Sequence, residues 1–406
     1  MVNKFLYPRG GAESYMLKVG KYLEDAGHTV AYFGMYDEKN TVGNAENLYT
    51  TNMDFHSKSL ERFLYPFRIL YSREAYTKIG KVLDSFHPDI VHLNNINFQL
   101  TPSILDAIHK RNIPIVQTVH DYQMVCPNHL LYNEQEEKVC ERCVQGSKWN
   151  CARYSCIHGS KVKSILGTLE ALFYRARRTY EKVDCYICPS RFLEQKLLAG
   201  SPIYQDKTFV LHNFVNIQGA DESHPAPDAE PYIAFVGRLS KEKGVALLAE
   251  TAKLLPEYKF VVMGNGPDDA VLQGINNVEL TGFLTGDTLR TRTESASLII
   301  VPSICYENCP LSILEAFAFG VPVVTMNMGG MAELVTDGVN GTLAKEPTAD
   351  ALADAVRRTM GDGEYLQKLR ENCQKTKKDS LTLKAYCEIL LRKYAEICEQ
   401  KNAKSL

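Results

Sequence analysis

The amino-acid sequence predicts an α/β protein with two parallel-sheet domains facing each other across a cleft. Three observations predict it. The chain has 406 residues, longer than one hydrophobic core usually supports. A strand–helix rhythm rich in Val and Ile runs through it twice, and a polar connector separates the two runs. The composition is globular, 45% hydrophobic and 23% charged, with a formal net charge of −2. So balanced a charge gives no footing for nucleic-acid binding. No apolar run approaches the ~20 residues of a membrane-spanning helix, and no signal peptide opens the chain, so a cytoplasmic protein is expected.

In the first run the expected strands are "MVNKF" (1–5), "TVAYFGM" (29–35), "PDIVHLN" (88–94), "IPIVQTVHD" (113–121), "VDCYICPS" (183–190) and "TFVLHNF" (208–214). Amphipathic stretches at 12–26, 72–86 and 102–111 lie between them. Alternation of this kind marks a parallel sheet covered on both faces. "MVNKF" is short for a central strand and includes the start methionine. It implies either a frayed first strand or a true start a few codons upstream.

The connector "NIQGADESHPAPDAEP" (216–231) reads as a linker. The rhythm then resumes with "YIAFVG" (232–237), "KFVVMG" (259–264), "NVELTG" (277–282), "SLIIVPS" (297–303), "PVVTMN" (322–327) and "NGTLA" (340–344). The expected domains are 1–216, with a Cys-rich insertion at 126–159, and 217–380. Open parallel sheets bind ligands at the carboxyl ends of their strands, so the loops there are the candidates for function.

"YPRGGAES" (7–14) joins the first strand to the first helix, where Gly10 and Gly11 let a ligand approach the backbone at a helix N-terminus. "VGRLSKEKG" (236–244) brings Arg238 and Lys243 to a strand end, two fixed cations suited to a diphosphate. "MGNGPD" supplies Gly264 and Gly266, and the backbone near Phe283 and Leu284 in "LTGFLTGD" is placed to face a flat base. "YENCPLSILEAFAFGVPVV" (306–324) holds two carboxylates, Glu307 and Glu315. Pro310 is read as the first helical residue with Asn308 or Cys309 as cap, so that Glu307 lies in a loop and Glu315 in the helix. The two acids then grip separate parts of one elongated ligand, and the helix N-terminus at Asn308, Cys309, Pro310 and Leu311 points between them.

These segments, with "VHD" (119–121), "CPSRF" (188–192), "HNFVN" (212–216) and "GGMAELVTDGVNG" (329–341), resemble the retaining glycosyltransferases of family 4. That family has two Rossmann-like domains, the GT-B fold, and the motifs follow its order over nearly the whole chain. The resemblance implies a nucleotide-sugar donor, with Glu315 on the ribose and Glu307 on the sugar hydroxyls. Arg238 and Lys243 would neutralise the leaving diphosphate, helped by amides at Gly10 and Gly11, and His120 would reach the sugar from the first domain. It implies backbone amides at Asn308–Leu311 on sugar and phosphate, and a last helix (381–406) crossing back to the first domain. The acceptor would be a glycan or a lipid-linked glycan, which points to polysaccharide or cell-envelope synthesis. No Asp-x-Asp triplet occurs, so catalysis is expected to need no metal and no cofactor. A nucleotide-sugar epimerase shares the architecture but lacks the Arg/Lys loop paired with Glu-x7-Glu. A catalytically inactive, zinc-stabilised binding protein is the alternative from another class.

Five of the 12 cysteines fall between Cys126 and Cys156. In a reducing compartment such clustering favours a metal over disulfides. Cys140, Cys143, Cys151 and Cys156 form the expected structural zinc set, with Cys126 or His158 as alternates. Cys185 and Cys188 belong to an apolar strand and are expected in the core. Beyond the insertion, 160–183 carries an apolar stripe of Ile165, Leu169, Leu172 and Phe173, flanked by Lys161, Lys163, Arg175, Arg177, Arg178 and Lys182. Two readings are open: a covering helix with a charged outer face, or a peripheral contact with an anionic membrane where lipid-linked acceptors reside.

Overall fold

The computed structural model of the chain describes residues 1–52, 70–215, 230–376 and 381–405. It divides into two compact units, Met1–Leu211 with Leu383–Leu406, and His212–Thr382. Of the polar connector, residues 216–229 lie outside the described residues.

The first unit is built on four parallel strands, β1 (Val91–Leu93), β2 (Ile115–Thr118), β5 (Cys185–Cys188) and β6 (Thr208–Val210), in that spatial order. Between β2 and β5 the insertion forms a short antiparallel hairpin, β3 (Tyr132–Asn133) with β4 (Lys138–Val139). β1, β2 and β5 are buried throughout, Cys185 and Cys188 included, as strands covered on both faces must be. Two expected strands are reduced to single bridges: Val2 pairs in parallel with Phe33 and Leu93, and Met35 with Thr50. Backbone bonds still join residues 2–4 to both neighbours, with the Val2 amide on the His92 carbonyl at 2.8 Å and the Asn3 amide on the Phe33 carbonyl at 3.1 Å. The Asn3 side chain adds to them, its Oδ1 accepting from the Asn95 amide at 2.9 Å and its Nδ2 donating to the Phe5 carbonyl at 2.7 Å.

Helix Leu383–Ser405 packs on helix Gly11–Asp25. Tyr386 OH lies 2.7 Å from Tyr15 OH, which lies 3.0 Å from Thr118 Oγ1. Thr118 in turn meets His92 Nε2 at 2.7 Å, and His92 Nδ1 meets the Tyr394 hydroxyl. This buried polar chain ties the last helix to the centre of the first sheet, and each link satisfies a group whose burial alone would cost a few kcal/mol.

Helix Lys161–Ala176 buries Ser164, Gly167, Thr168, Glu170 and Tyr174. Of the apolar stripe only Leu169, 37% exposed, faces outward; Ile165, Leu172 and Phe173 are half-buried, and the Phe173 ring meets Tyr71 and Tyr174 edge-on. The sequence periodicity located the stripe but not the face that packs. Part of the basic flank is engaged at home: Arg177 pairs with Asp106 at 2.8 Å, and Lys182 with the same carboxylate. Among the described residues no helix is long and apolar enough to cross a membrane.

The second unit has six parallel strands: β7 (Tyr232–Val236), β8 (Lys259–Met263), β9 (Val278–Gly282), β10 (Leu298–Val301), β11 (Val323–Met326) and β12 (Gly341–Ala344). Their spatial order is β12-β11-β10-β7-β8-β9. Chain order reverses between β10 and β7, which are adjacent, and such a switch point is where open parallel sheets bind ligands. Helix Ala349–Met360 packs on helix Val245–Leu254, β11 and β12, while helix Leu311–Ala318 packs on β10 and β11.

Candidate active site

The loop after β7 runs through Gly237 and Arg238 into a single turn, Lys241–Lys243, and then Gly244. Gly244 has φ +73°, and a Cβ there would lie 1.9 Å from the Pro302 carbonyl at the end of β10. Only glycine accommodates both the left-handed backbone and this approach. The approach is reinforced by the Ile304 amide donating to the Glu242 carbonyl at 3.1 Å. It delivers Lys243 to the loop after β10, where its Nζ sits 2.6 Å from Glu307 Oε1. Ser303 Oγ donates to the same oxygen at 2.8 Å. Burial alone would lower the Lys243 pKa, but the Glu307 carboxylate outweighs it and holds the ammonium above its ordinary value. Arg238 stands exposed at the β7 end.

Glu307 is held from behind. Its carbonyl accepts from the Gly330 amide at 2.7 Å, and a Cβ on Gly330 would fall 1.7 Å from the Asn308 carbonyl. The Asn213 amide group donates to the Cys309 carbonyl at 3.0 Å, and His212 Nε2 meets Glu333 Oε1 at 2.7 Å. Helix Leu311–Ala318 starts one residue later than the sequence suggested. Pro310 is its N-cap, with ψ 122°, because an extended ψ there leaves Leu311 as the first helical residue. Glu307 is thus in the loop and Glu315 is the fifth residue of the helix. No side chain caps this N-terminus, whereas Thr348 caps helix Ala349–Met360 by accepting from the Ala351 amide. An uncapped N-terminus keeps its amides and partial positive charge available to an anion.

Gly264 and Gly266 serve first to bring loops together. A Cβ on Gly264 would lie 1.8 Å from the Gly237 carbonyl, and one on Gly266 2.0 Å from the Leu239 carbonyl. Phe283, just past β9, is 72% exposed, while Leu284 packs against the core of this unit. Arg238, Lys243, Gly264, Gly266, Phe283, Leu284, Glu307 and Asn308–Leu311 all lie at the carboxyl edge of the second sheet or in its loops. Ser303 is a partner the sequence reading missed. Its signal was a small hydroxyl at a strand end, too common to single out.

In the first unit, Gly10 is the N-cap of helix Gly11–Asp25, both glycines are exposed, and no side chain caps this helix either. His120 lies just beyond β2, with Nε2 2.9 Å from Asn94 Oδ1 and its ring edge-on to Tyr15 at 5.1 Å. Burial lowers its pKa to about 4, with Asp121 pulling weakly the other way, so the imidazole is neutral at neutral pH. For Asp121, burial works upward, but His129 at 3.3 Å and the Gln123 amide at 2.9 Å outweigh it and keep the carboxyl low. Asn94 was not foreseen; it follows β1, next to the strand that carries His120.

Cys126, Cys140, Cys143, Cys151 and Cys156 line one small cavity. His158 is exposed and outside it. All are free thiols, and among the described residues no three His, Cys, Asp or Glu side chains form a ready metal site.

Two α/β units with charged residues and helix N-termini at their strand ends define a class of parallel-sheet proteins, and comparison with known proteins makes it specific. Residues 9–218 match the model of Glycosyltransferase Family 4 and residues 217–376 that of Glycosyl transferases group 1. The chain belongs to glycosyltransferase family 4, and it is a glycosyltransferase. It is 30% identical over 219 residues to the uncharacterized glycosyltransferase MJ1607 of Methanocaldococcus jannaschii, covering 48% of this chain and 56% of that protein. It is 24% identical over 351 residues to an uncharacterized 42.6 kDa protein in the cps region of Klebsiella pneumoniae, covering 82% and 86%. Among solved structures, Anabaena HepE in complex with UDP-glucose superposes with a TM-score of 0.67 at 17% identity, covering 97% of this chain and 98% of that one. That likeness shows the fold, which is the GT-B fold.

Proposed function

We propose that this glycosyltransferase moves a hexose from a nucleotide-diphosphate donor to a glycan or lipid-linked acceptor, with retention of configuration and without a catalytic metal. The observation that carries the reading is the Lys243–Glu307 contact at the point where strand order reverses. An ammonium has three donors, so Lys243 can keep Glu307 and still reach a phosphate oxygen. Negative charge grows on the departing nucleoside diphosphate, and Lys243 and Arg238 stabilise it more in the transition state than in the bound donor. Glu307, oriented by Ser303 and Lys243, accepts hydrogen bonds from sugar hydroxyls, and Glu315 accepts them from the ribose. The uncapped amides at Leu311 and at Gly10–Gly11 suit phosphate. His120 is neutral and acts as a hydrogen-bonding partner of the sugar. With no side-chain nucleophile assigned, the acceptor attacks from the face the diphosphate leaves, and a diphosphate oxygen takes its proton.

The HepE structure contains UDP-glucose, and a Corynebacterium glutamicum relative 32% identical over 170 residues is named a GDP-mannose-dependent alpha-mannosyltransferase. Both support a nucleotide-sugar donor. An Erwinia amylovora relative 29% identical over 148 residues is named an amylovoran biosynthesis glycosyltransferase, which supports a role in polysaccharide synthesis. Exposed Leu169 on helix Lys161–Ala176, with exposed Lys161 and Lys163 on the same helix, supports peripheral contact with the membrane that carries lipid-linked acceptors. Screening nucleotide sugars by thermal shift tests the donor, because a ligand that binds only the folded state raises its melting temperature. One nucleotide diphosphate sugar is expected to stabilise the protein with no divalent cation added, and NMR of the product is expected to show the donor's anomeric configuration. Stabilisation by none, or an inverted product, would refute the proposal.

A further inference from the structure

We propose that the cysteine-rich insertion holds a structural zinc ion on the thiolates of Cys126, Cys143, Cys151 and Cys156. The cavity these residues line measures about 10 Å³. That is roughly the space of one water-sized sphere, enough for a single ion and too little for an iron–sulfur cluster. Burial chooses among the five sulfurs. Cys126, Cys143, Cys151 and Cys156 are 7%, 5%, 1% and 8% exposed, as the closed shell of a structural zinc requires. Cys140 is half-buried at the rim, its sulfur 3.9 Å from Arg142 Nη1.

The surroundings are those of a thiolate site. The Cys126 sulfur accepts from the backbone amides of Asn128 and Leu131, and the Cys143 sulfur from that of Cys151. Amide donors of this kind orient and stabilise metal-bound sulfur. Lys148 is only 6% exposed, donates to the carbonyls of Val125 (2.7 Å) and Cys143, and lies in the field of the Cys143 and Cys126 thiols. A buried ammonium calls for an anion, and a zinc tetrathiolate, with its net negative charge, supplies one where neutral thiols do not. Cys126 now donates to Asn128 Oδ1 at 2.9 Å; when its proton leaves, that oxygen still accepts from the Leu130 amide at 3.1 Å.

The insertion also needs a cross-link. Its regular structure is the β3–β4 hairpin and the five-residue helix Trp149–Arg153, and its own apolar cluster is made of Cys143, Cys151 and Cys156 with Tyr154 and Ile157. Segments this small rarely hold a fixed shape without a metal or disulfides. The thiols are not preset: Cys151 and Cys156 hydrogen-bond to each other. Zinc binding turns the sulfurs onto the ion and releases one proton per thiol to solvent.

The test uses the full chain, purified without chelator from zinc-supplemented cells and analysed by elemental mass spectrometry. The apoprotein is then titrated with cobalt(II). A single zinc per chain and a thiolate-to-cobalt charge-transfer spectrum are expected, with loss of both in Cys126→Ser and Cys143→Ser and retention of both in Cys140→Ser. Zinc well below one per chain together with no cobalt spectrum in the wild type overturns the site whatever the variants do. Recovery of Cys151 and Cys156 as a disulfide after anaerobic purification and alkylation without added reductant does the same. Metal lost in Cys140→Ser but kept in Cys126→Ser overturns the ligand set.

Discussion

At the strand ends of the second unit, opposite charges touch: Lys243 Nζ is 2.6 Å from Glu307 Oε1, above a mainly apolar core. At the corresponding ends of the first unit, apart from the Asp121 carboxylate beside His129, the groups are mostly neutral. His120 and His92 have pKa values lowered by burial to about 4 and about 3; the nearby hydroxyls of Tyr15, Thr118 and Tyr386 bond to one another, and that of Tyr394 meets His92 Nδ1. The same architecture thus presents charge in one unit and uncharged hydrogen-bonding capacity in the other. A leaving diphosphate needs the former, and a sugar hydroxyl needs only the latter. The neutral network has a cost in pH tolerance that the charged pair does not share.

Glu170 should reveal that cost most clearly. Burial raises its pKa to about 8, against weaker opposing hydrogen bonds from Asn97 and Gln123. A folded-state pKa above the unfolded value means that the stability tied to the proton is intact below pH ~4.5 and lost as pH climbs through 8. Glu170→Gln should therefore stabilise the first unit at pH 8.5 by on the order of 4 kcal/mol and change little at pH 4.5. The histidines work the other way: their lowered values preserve stability above pH ~6.5 and lose it as pH falls through about 4 and about 3. Thermal unfolding at pH 4.5 and 8.5 checks both; an equal effect of the glutamine at the two pH values would sink the assignment.

Next in size are the charges of the second unit. Lys243→Ala, Glu307→Ala and Arg238→Ala should each lower turnover at least about tenfold, since a charged hydrogen bond is worth about 1.5–3 kcal/mol. Lys243→Ala and Glu307→Ala should also be non-additive, because each removes the other's partner. Additive losses in a double-mutant cycle, or wild-type turnover in any of the three, would break the comparison between the units. Glu315→Ala should chiefly weaken donor binding, read as a raised KM with kcat retained.

Gly330→Ala puts a methyl group 1.7 Å from the Asn308 carbonyl and must displace the Glu307 loop. A loss of about 1–3 kcal/mol in stability and weaker donor binding are expected by calorimetry. Unchanged affinity would show that the loop's position is not set from behind. The smallest effect belongs to Phe283→Ala. Its ring is 72% exposed, so stability should move by less than about 0.5 kcal/mol, and donor affinity should hold if the backbone alone faces the base.

Much of this molecule was legible in one dimension. Ten of the twelve expected strands lie where the Val- and Ile-rich runs put them, because a parallel strand buried on both faces must be apolar throughout. The exceptions, 1–5 and 29–35, pair only through single bridges at Val2 and Met35, and hydrophobic period does not register how far a pairing extends. Pro310 divided the Glu307–Glu315 segment into loop and helix because proline cannot continue a helix backward, a purely local constraint.

Other features waited on tertiary structure. The Lys243–Glu307 contact joins residues separated by 64 positions; it exists because β7 and β10 became neighbours and Gly244 let their loops touch. Helix Lys161–Ala176 shows an apolar stripe in sequence, yet which side it buries was decided by what the first unit offered to pack against. The cysteine window announced itself by count, while only burial separated Cys126 from Cys140. The amino-acid sequence determined the elements, their order and the residue types at the strand ends, since these rest on local sterics and hydrophobic period. Which of those residues meet, and with what protonation, was decided by the folded structure, because contact and desolvation are properties of the packed chain.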